Sequence, residues 1–318
     1  MSKDEGHSEN FDLAKKQLDG GSISQGYSMG DGRIYTAYYT NEKWASFKTN
    51  MEALYPRAYD DFMSGYGNEL SERNMKGKMV PPKMASYSSS SRFIFELSKD
   101  IPGFHFECKL PISIPGRYAG QEAEASLDGY IPTKNIYIEA KCHEIYKRGK
   151  TEFKEKYRTF YDYLRRKTQG DFNFRVDSHI TRGGNEIEYV EFFWKQNRIE
   201  NLDLKQLLCH MLGIAKKSLT SYHSERPCLL YLVYKPSQKL LNYIQDDSVA
   251  NQIISIWEKE KDEANMIDFQ SLYFNVVHYL NEQEKIGIIL SQPEVSGVGN
   301  SFDFRFCDQD EYKRYLNP

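Results

Sequence analysis

"LDGYIPTKNIYIEAKCHE", residues 127–144, decides how the chain is read. Apolar residues alternate on either side of "PTKN", the pattern of two strands joined by a tight connection. A hairpin turning about Thr133 and Lys134 pairs positions whose numbers sum to 267, which sets Asp128 opposite Glu139. Lys141, two residues past Glu139, falls on the same face. Like charges directly across a strand pair weaken it unless a cation intervenes. The stretch therefore predicts Lys141, a divalent metal, or both, between the acids. Hard carboxylate oxygens suit Mg²⁺, which takes one or two carboxylates and leaves room for water and phosphate oxygens. The Ala140 carbonyl is a further oxygen of that kind, and Lys141 can hold or help deprotonate a water attacking phosphorus.

Outward from this hairpin, "FHFECKLPIS" (104–113) and "EASLDGYIP" (124–132) also run with period two, so three consecutive strands form a meander. Before them, residues 41–78 carry apolar positions at helical intervals, and "SSSSRFIFELSK" (88–99) offers serine caps to another helix, though the alternation of Phe93 and Phe95 equally suits a strand. After them, "KTEFKEKYRTFYDYLRRK" (150–167) reads as a long charged helix. "NLDLKQLLCHMLGIAKKSL" (201–219) is a second helix, with Leu202, Leu207, Leu208, Met211 and Leu212 toward a core. "RPCLLYLVYKP" (226–236) is a strand buried on both faces. A helix at 248–264 follows, and "FQSLYFNVVHYL", "KIGIILSQ" and "SFDFRF" complete the sheet or its surroundings. The sum is an α/β fold: a mixed central sheet flanked by helices, with a helical N-terminal part. Residues 1–33, rich in Gly and Ser, are expected to be a mobile lead-in, and 34–318 one domain with its core at about 65–235.

The chain has 318 residues and a formal net charge of −3, so a polyanion would have to be met by a local basic patch. One such patch is the run of Lys147, Arg148, Lys150, Lys154, Lys156 and Arg158, interleaved with tyrosines; it reads either as a phosphate-tracking face or as a solvated helix. Five cysteines without a CxxC pair, no apolar leader and no long apolar run point to reduced thiols in a cytoplasmic protein away from membranes. Cys142-His143 and Cys209-His210 lack the spacing of a zinc site.

Asp128, a short gap, then Glu139-Ala140-Lys141 after a strand hairpin resembles the PD-(D/E)XK nuclease superfamily, with "LDGY" where the family has Pro-Asp and "EAK" as its Glu-x-Lys element. "GNEL" with Glu69 on an early helix, the serine run, Glu107 in the first strand, and Gln206 in "DLKQLLCHMLGI" look like its restriction-endonuclease-like bacterial branch. The resemblance implies a restriction-endonuclease-like core and a metal-dependent endonuclease cutting DNA to 5′-phosphate and 3′-hydroxyl ends. It implies Asp128 and Glu139 as metal ligands, with the Ala140 carbonyl; Mg²⁺ as cofactor, Mn²⁺ as a substitute; and Lys141 serving the water. Glu69 would be an additional acid and Gln206 a hydrogen-bonding partner. Glu107 is either a further ligand or an outward strand residue, and Glu144 lies outside the site. Double-strand cleavage would favour a homodimer. Two rival readings are a non-catalytic nucleic-acid-binding module on a decayed nuclease fold and a surface salt-bridge cluster in an unrelated α/β protein.

Overall fold

The computed structural model describes residues 13–20, 27–28, 34–35, 38–65, 69–73, 77–116, 121–142, 150–182, 185–221, 224–244, 247–284 and 301–316. After a short helix at residues 13–18 come α1 (Asn41–Leu54), α2 (Pro56–Ser64) and α3 (Ser90–Ser98). Each start is legible locally, since Thr40 caps α1, proline opens α2 and Ser89 accepts from Arg92 N to cap α3. The meander follows as β1 (His105–Pro115), β2 (Glu122–Ile131) and β3 (Ile136–Lys141). The β2–β3 pairs Gly129–Ile138, Tyr130–Tyr137 and Ile131–Ile136 have the register expected from the sequence. Pro132–Lys134 make one tight helical turn, and Asn135 closes it in the left-handed region at φ 49°, which asparagine tolerates.

The chain then leaves the sheet for α4 (Arg158–Lys167), the long hairpin β4 (Phe172–Arg182) and β5 (Asn185–Trp194), and β6 (Asn197–Ile199), which pairs with β5. It returns through α5 (Leu204–Thr220) to β7 (Cys228–Val233), then α6 (Asp247–Met266), α7 (Phe269–Glu284), β8 (Asp303–Cys307) and α8 (Gln309–Leu316). The central sheet has the order β8-β7-β3-β2-β1; β3, β7 and β8 are parallel and the meander is antiparallel, so the sheet is mixed. Every residue of β7 is buried, as its unbroken apolar run requires.

Helices cover both faces. On one, Trp44, Met51, Phe62 and Phe95 pack against Phe106, Ile138, Leu230 and Leu232; on the other, Leu207, Leu208, Met211 and Leu212 pack against Leu110, Leu127, Tyr137 and Tyr231. At about 25 cal/mol per Å² of apolar surface removed from water, these two cores dominate the favourable side of folding.

Three expectations change. The charged segment 150–167 is helical only over 158–167, because Thr151–Glu152 pair with β5 and Phe153 is drawn into the core. "FQSLYFNVVHYL" belongs to α7, packed between α5 and α4 with Leu272, Val276, Val277 and Leu280 buried. Part of the lead-in is docked: residues 13–18 are helical, with Ala14 and Lys16 buried. "KIGIILSQ" lies outside the described residues. Among the described residues no helix is long and apolar enough to cross a membrane, and none of the five cysteines forms a disulfide.

Candidate functional site

The β2–β3 ladder stops at Gly129–Ile138, one step short of Asp128 and Glu139. Alternation along β3 sends the backbone groups of Asn135 and Lys141 toward β7, where they accept from Cys228 N and Tyr234 N. Those of Ala140 are thereby aimed at β2, where no ladder partner remains. Asp128 fills the gap: its Oδ2 accepts from Ala140 N at 2.7 Å. The Ala140 carbonyl faces the same opening.

The opening has a backbone cause. Glu107 and Asp128 fall between the paired residues Phe106–Gly129 and Cys108–Leu127. Glu107 sits at φ 54°, a left-handed conformation costing a non-glycine residue on the order of 1–3 kcal/mol. There β1 changes face: Phe106 packs under the N-terminal helices, whereas Cys108, two residues on, packs against the opposite core. β2 changes face with it between Leu127 and Gly129. A Cβ on Gly129 would stand 2.3 Å from the Phe104 ring, so only glycine admits the ring there. Acids from three neighbouring strands, Glu107, Asp128 and Glu139, thus gather where the sheet twists apart.

Helix α5 closes the site from above. Asp203 caps it by accepting from Gln206 N, and Glu263 of α6 holds the approach by accepting from the backbone of Glu200, Asn201 and Leu202 at 3.0, 2.8 and 2.7 Å. Gln206, His210 and Gly213 lie on one helical face. A Cβ on Gly213 would meet Leu110 Cβ at 2.6 Å, so the glycine lets α5 sit close on β1. That approach delivers Gln206 and His210 to Glu139.

Lys141 Nζ lies 2.7 Å from Glu139 Oε1 and donates to Gln206 Oε1 at 2.7 Å, while Gln206 Nε2 donates to Glu139 Oε1 at 2.7 Å. The three form a closed triangle. His210 Nε2 stands 3.0 Å from Glu139 Oε2, although neither ring nitrogen has a well-aligned hydrogen bond among the described residues. Glu139 is only 2% exposed, so this is a buried network and not a surface salt-bridge cluster. His210 was not singled out from the sequence as part of this site; its position four residues after Gln206 on an amphipathic helix was the available signal.

The electrostatics divide the acids. Burial opposes the charge of Glu139, but Lys141 and then His210 override it and hold the pKa down at about 2. Burial, then repulsion from Glu139, pushes Asp128 well above the usual carboxylate range against the opposing pull of Lys141 and the Ala140 hydrogen bond. Burial, then Glu69, pushes Glu107 up to about 7. Glu69 belongs to the loop after α2, not to a helix, because α2 ends at Ser64. Its oxygens are held by Lys83 at 3.1 Å and by the Ser91 hydroxyl at 2.7 Å.

Burial and mutual repulsion favour the protonated form of Asp128 and Glu107, and a divalent cation would relieve the repulsion that arises when they ionise beside Glu139. Among the described residues no three His, Cys, Asp or Glu side chains converge at ligand distance. The donors on offer, Asp128, Glu139 and the Ala140 carbonyl, are nonetheless the sparse oxygen set that Mg²⁺ accepts.

The basic segment is largely paired. Arg158 Nε donates to Glu155 at 2.7 Å, Lys154 pairs with Glu152, Lys156 donates to the Pro115 carbonyl at 2.8 Å, and the Lys150 ammonium stands 5.7 Å from the Tyr189 ring centre. Lys147, Arg148, His143 and Glu144 lie outside the described residues. In comparison with known proteins, no family model, no curated protein and no solved structure matches the chain.

Proposed function

We propose that the chain is a metal-dependent endonuclease of the PD-(D/E)XK type, with a restriction-endonuclease-like core, hydrolysing DNA phosphodiester bonds to 5′-phosphate and 3′-hydroxyl ends. The observation that carries this reading is the junction of Asp128, Glu139 and Lys141 at the point where β2 and β3 separate, with the Ala140 backbone between them. Mg²⁺, or Mn²⁺ in its place, would be held by Asp128, Glu139 and the Ala140 carbonyl, and would supply neutralisation of charge at the phosphoryl oxygens. The remaining work belongs to the chain. Lys141 holds the attacking water and stabilises the charge that develops as it adds. Gln206 fixes the Lys141 ammonium against Glu139. Glu107 and Glu69 add the negative field that favours a cation, and Lys150, Lys154, Lys156 and Arg158 exchange their present contacts for phosphates along a duplex.

The closed triangle around Glu139 favours a second reading, a nucleic-acid-binding module whose acids are satisfied internally. Incubating the protein with supercoiled plasmid and with RNA, in Mg²⁺ or EDTA, separates the two. Nicked or linear DNA in Mg²⁺ alone supports the nuclease; retention of DNA in a gel shift with no cleavage supports the binding module.

A further inference from the structure

A cavity of about 430 Å³ is lined by residues that include Lys15, Asp19, Tyr39, Lys43, Ser89 and Arg92. Arg92, on α3, has a side chain only 6% exposed, and its Nη1 has no hydrogen-bond partner among the described residues. Its guanidinium stacks 4.3 Å from the Tyr39 ring centre, and the Lys43 ammonium stands 4.3 Å from the same ring. Asp19 lies 3.2 Å from Lys15 and 3.7 Å from Arg92 Nη2, and Lys43 donates to the Tyr87 hydroxyl at 3.3 Å. Glu96, also in the lining, is taken by Lys99 at 2.8 Å. Three cations, Lys15, Lys43 and Arg92, and two acids thus line the cavity, which runs from Ser89 to Glu96 along one face of a nine-residue helix. Burial lowers the pKa of Lys43, and Arg92 beside it lowers it further against the pull of Asp19.

We propose that this cavity takes a phosphoryl group. A buried guanidinium with an unpartnered Nη1 and the two ammonium groups of Lys15 and Lys43 match the several acceptor oxygens of a phosphoryl group, whose charge would offset the cost of the buried guanidinium. The chain links the cavity's lining to the acid cluster in two places. Cys142, in its lining, follows Lys141, and Ser91, two residues after Ser89, donates to Glu69. Resting on the nuclease reading, the phosphoryl group belongs to the substrate strand.

The test is calorimetric titration in EDTA with orthophosphate and a nucleoside 5′-monophosphate, and strand binding with oligonucleotides ending in 5′-phosphate or 5′-hydroxyl. The full chain is compared with Lys43→Gln, Arg92→Gln and Asp128→Asn, each checked for folding by circular dichroism; Lys43 is only half-buried, so that variant remains informative should Arg92→Gln misfold. Expected are millimolar or tighter phosphate binding, at least tenfold weaker in Lys43→Gln and Arg92→Gln and retained in Asp128→Asn, and oligonucleotide binding weakened in the same two variants. Preference for the 5′-phosphate end assigns the site to a terminal phosphate; equal binding assigns it to an internal diester. Absence of phosphate binding, or unchanged binding in Lys43→Gln, overturns the cavity's assignment, and oligonucleotide binding indifferent to both variants overturns the link to the strand. Phosphate binding as expected in a protein that cleaves nothing with Mg²⁺ overturns the nuclease reading and leaves the cavity a site for free phosphate or nucleotide.

Discussion

Lys141→Ala separates the structural share of the acid cluster from its chemistry. The ammonium is 12% exposed and its partner Glu139 3%, so removal leaves a buried carboxylate with only Gln206 and His210. Glu139 lies near 2 against an ordinary 4.5, and at 1.36 kcal/mol per pKa unit that depression corresponds to about 3 kcal/mol at neutral pH. Lys141 is the leading favourable cause, and removing one partner of a buried pair costs about 3–5 kcal/mol in general, so a loss of about 2–4 kcal/mol in EDTA is expected. For a chain of 318 residues that lowers Tm by roughly 3–6 °C. Mg²⁺ should return much of it, since the ammonium that competed for Glu139 is gone; a hundredfold excess over Kd restores about 2.7 kcal/mol. Cleavage should still fall roughly 10²- to 10⁴-fold. Thermal unfolding in EDTA and in Mg²⁺, beside single-turnover cleavage, reads all three quantities. The reasoning is refuted by a variant as stable as the parent in EDTA, by a smaller Mg²⁺ stabilisation than the parent shows, or by an unchanged rate.

His210→Ala removes the second positive influence on Glu139, so the Glu139 pKa should rise from about 2; NMR titration of the Glu139 carboxyl checks this, and an unmoved pKa would place His210 outside the network. Glu107 and Asp128 have raised pKa values, so in EDTA the folded chain keeps protons that the unfolded chain releases above about pH 4–5, and stability should decline as pH rises toward 7–8. Glu107 alone contributes about 3 kcal/mol to this, whereas the Glu139 contribution is complete above about pH 4.5 and is lost only on acidification toward pH 2. Mg²⁺ should therefore raise Tm more at pH 8 than at pH 6, and equal shifts would argue against a cation among these acids. Replacing Lys154, Lys156 and Arg158 with alanine should weaken DNA binding and reduce its salt slope by about one per lost phosphate contact; an unchanged slope would make the segment a solvated face.

The meander was legible because period-two alternation and a short connection determine register, and register alone set Asp128 against Glu139. The buried β7 was legible from its unbroken apolar run. What escaped depends on distant partners. Thr151–Glu152 leave the helical pattern because β5 offers them a ladder, and the sequence reading did not foresee the β4–β5 hairpin that provides it. Glu69 reads as helical in a segment of helical period, yet α2 ends at Ser64. His210 sits next to Cys209, which drew attention to zinc; its approach to Glu139 depends on Gly213 seating α5 against Leu110, a contact between residues a hundred positions apart. The cationic cavity at Arg92 combines residues from the N-terminal segment, α1 and α3 that no local pattern joins.

The most direct test is diffraction from crystals soaked in Mn²⁺, measured at a wavelength where manganese scatters anomalously. The account predicts an anomalous peak between Asp128 and Glu139, within ligand distance of the Ala140 carbonyl, with Lys141 displaced from Glu139 Oε1. Crystals in which Glu139 keeps Lys141, Gln206 and His210, Asp128 keeps Ala140 N, and no anomalous density lies between the two acids would contradict it.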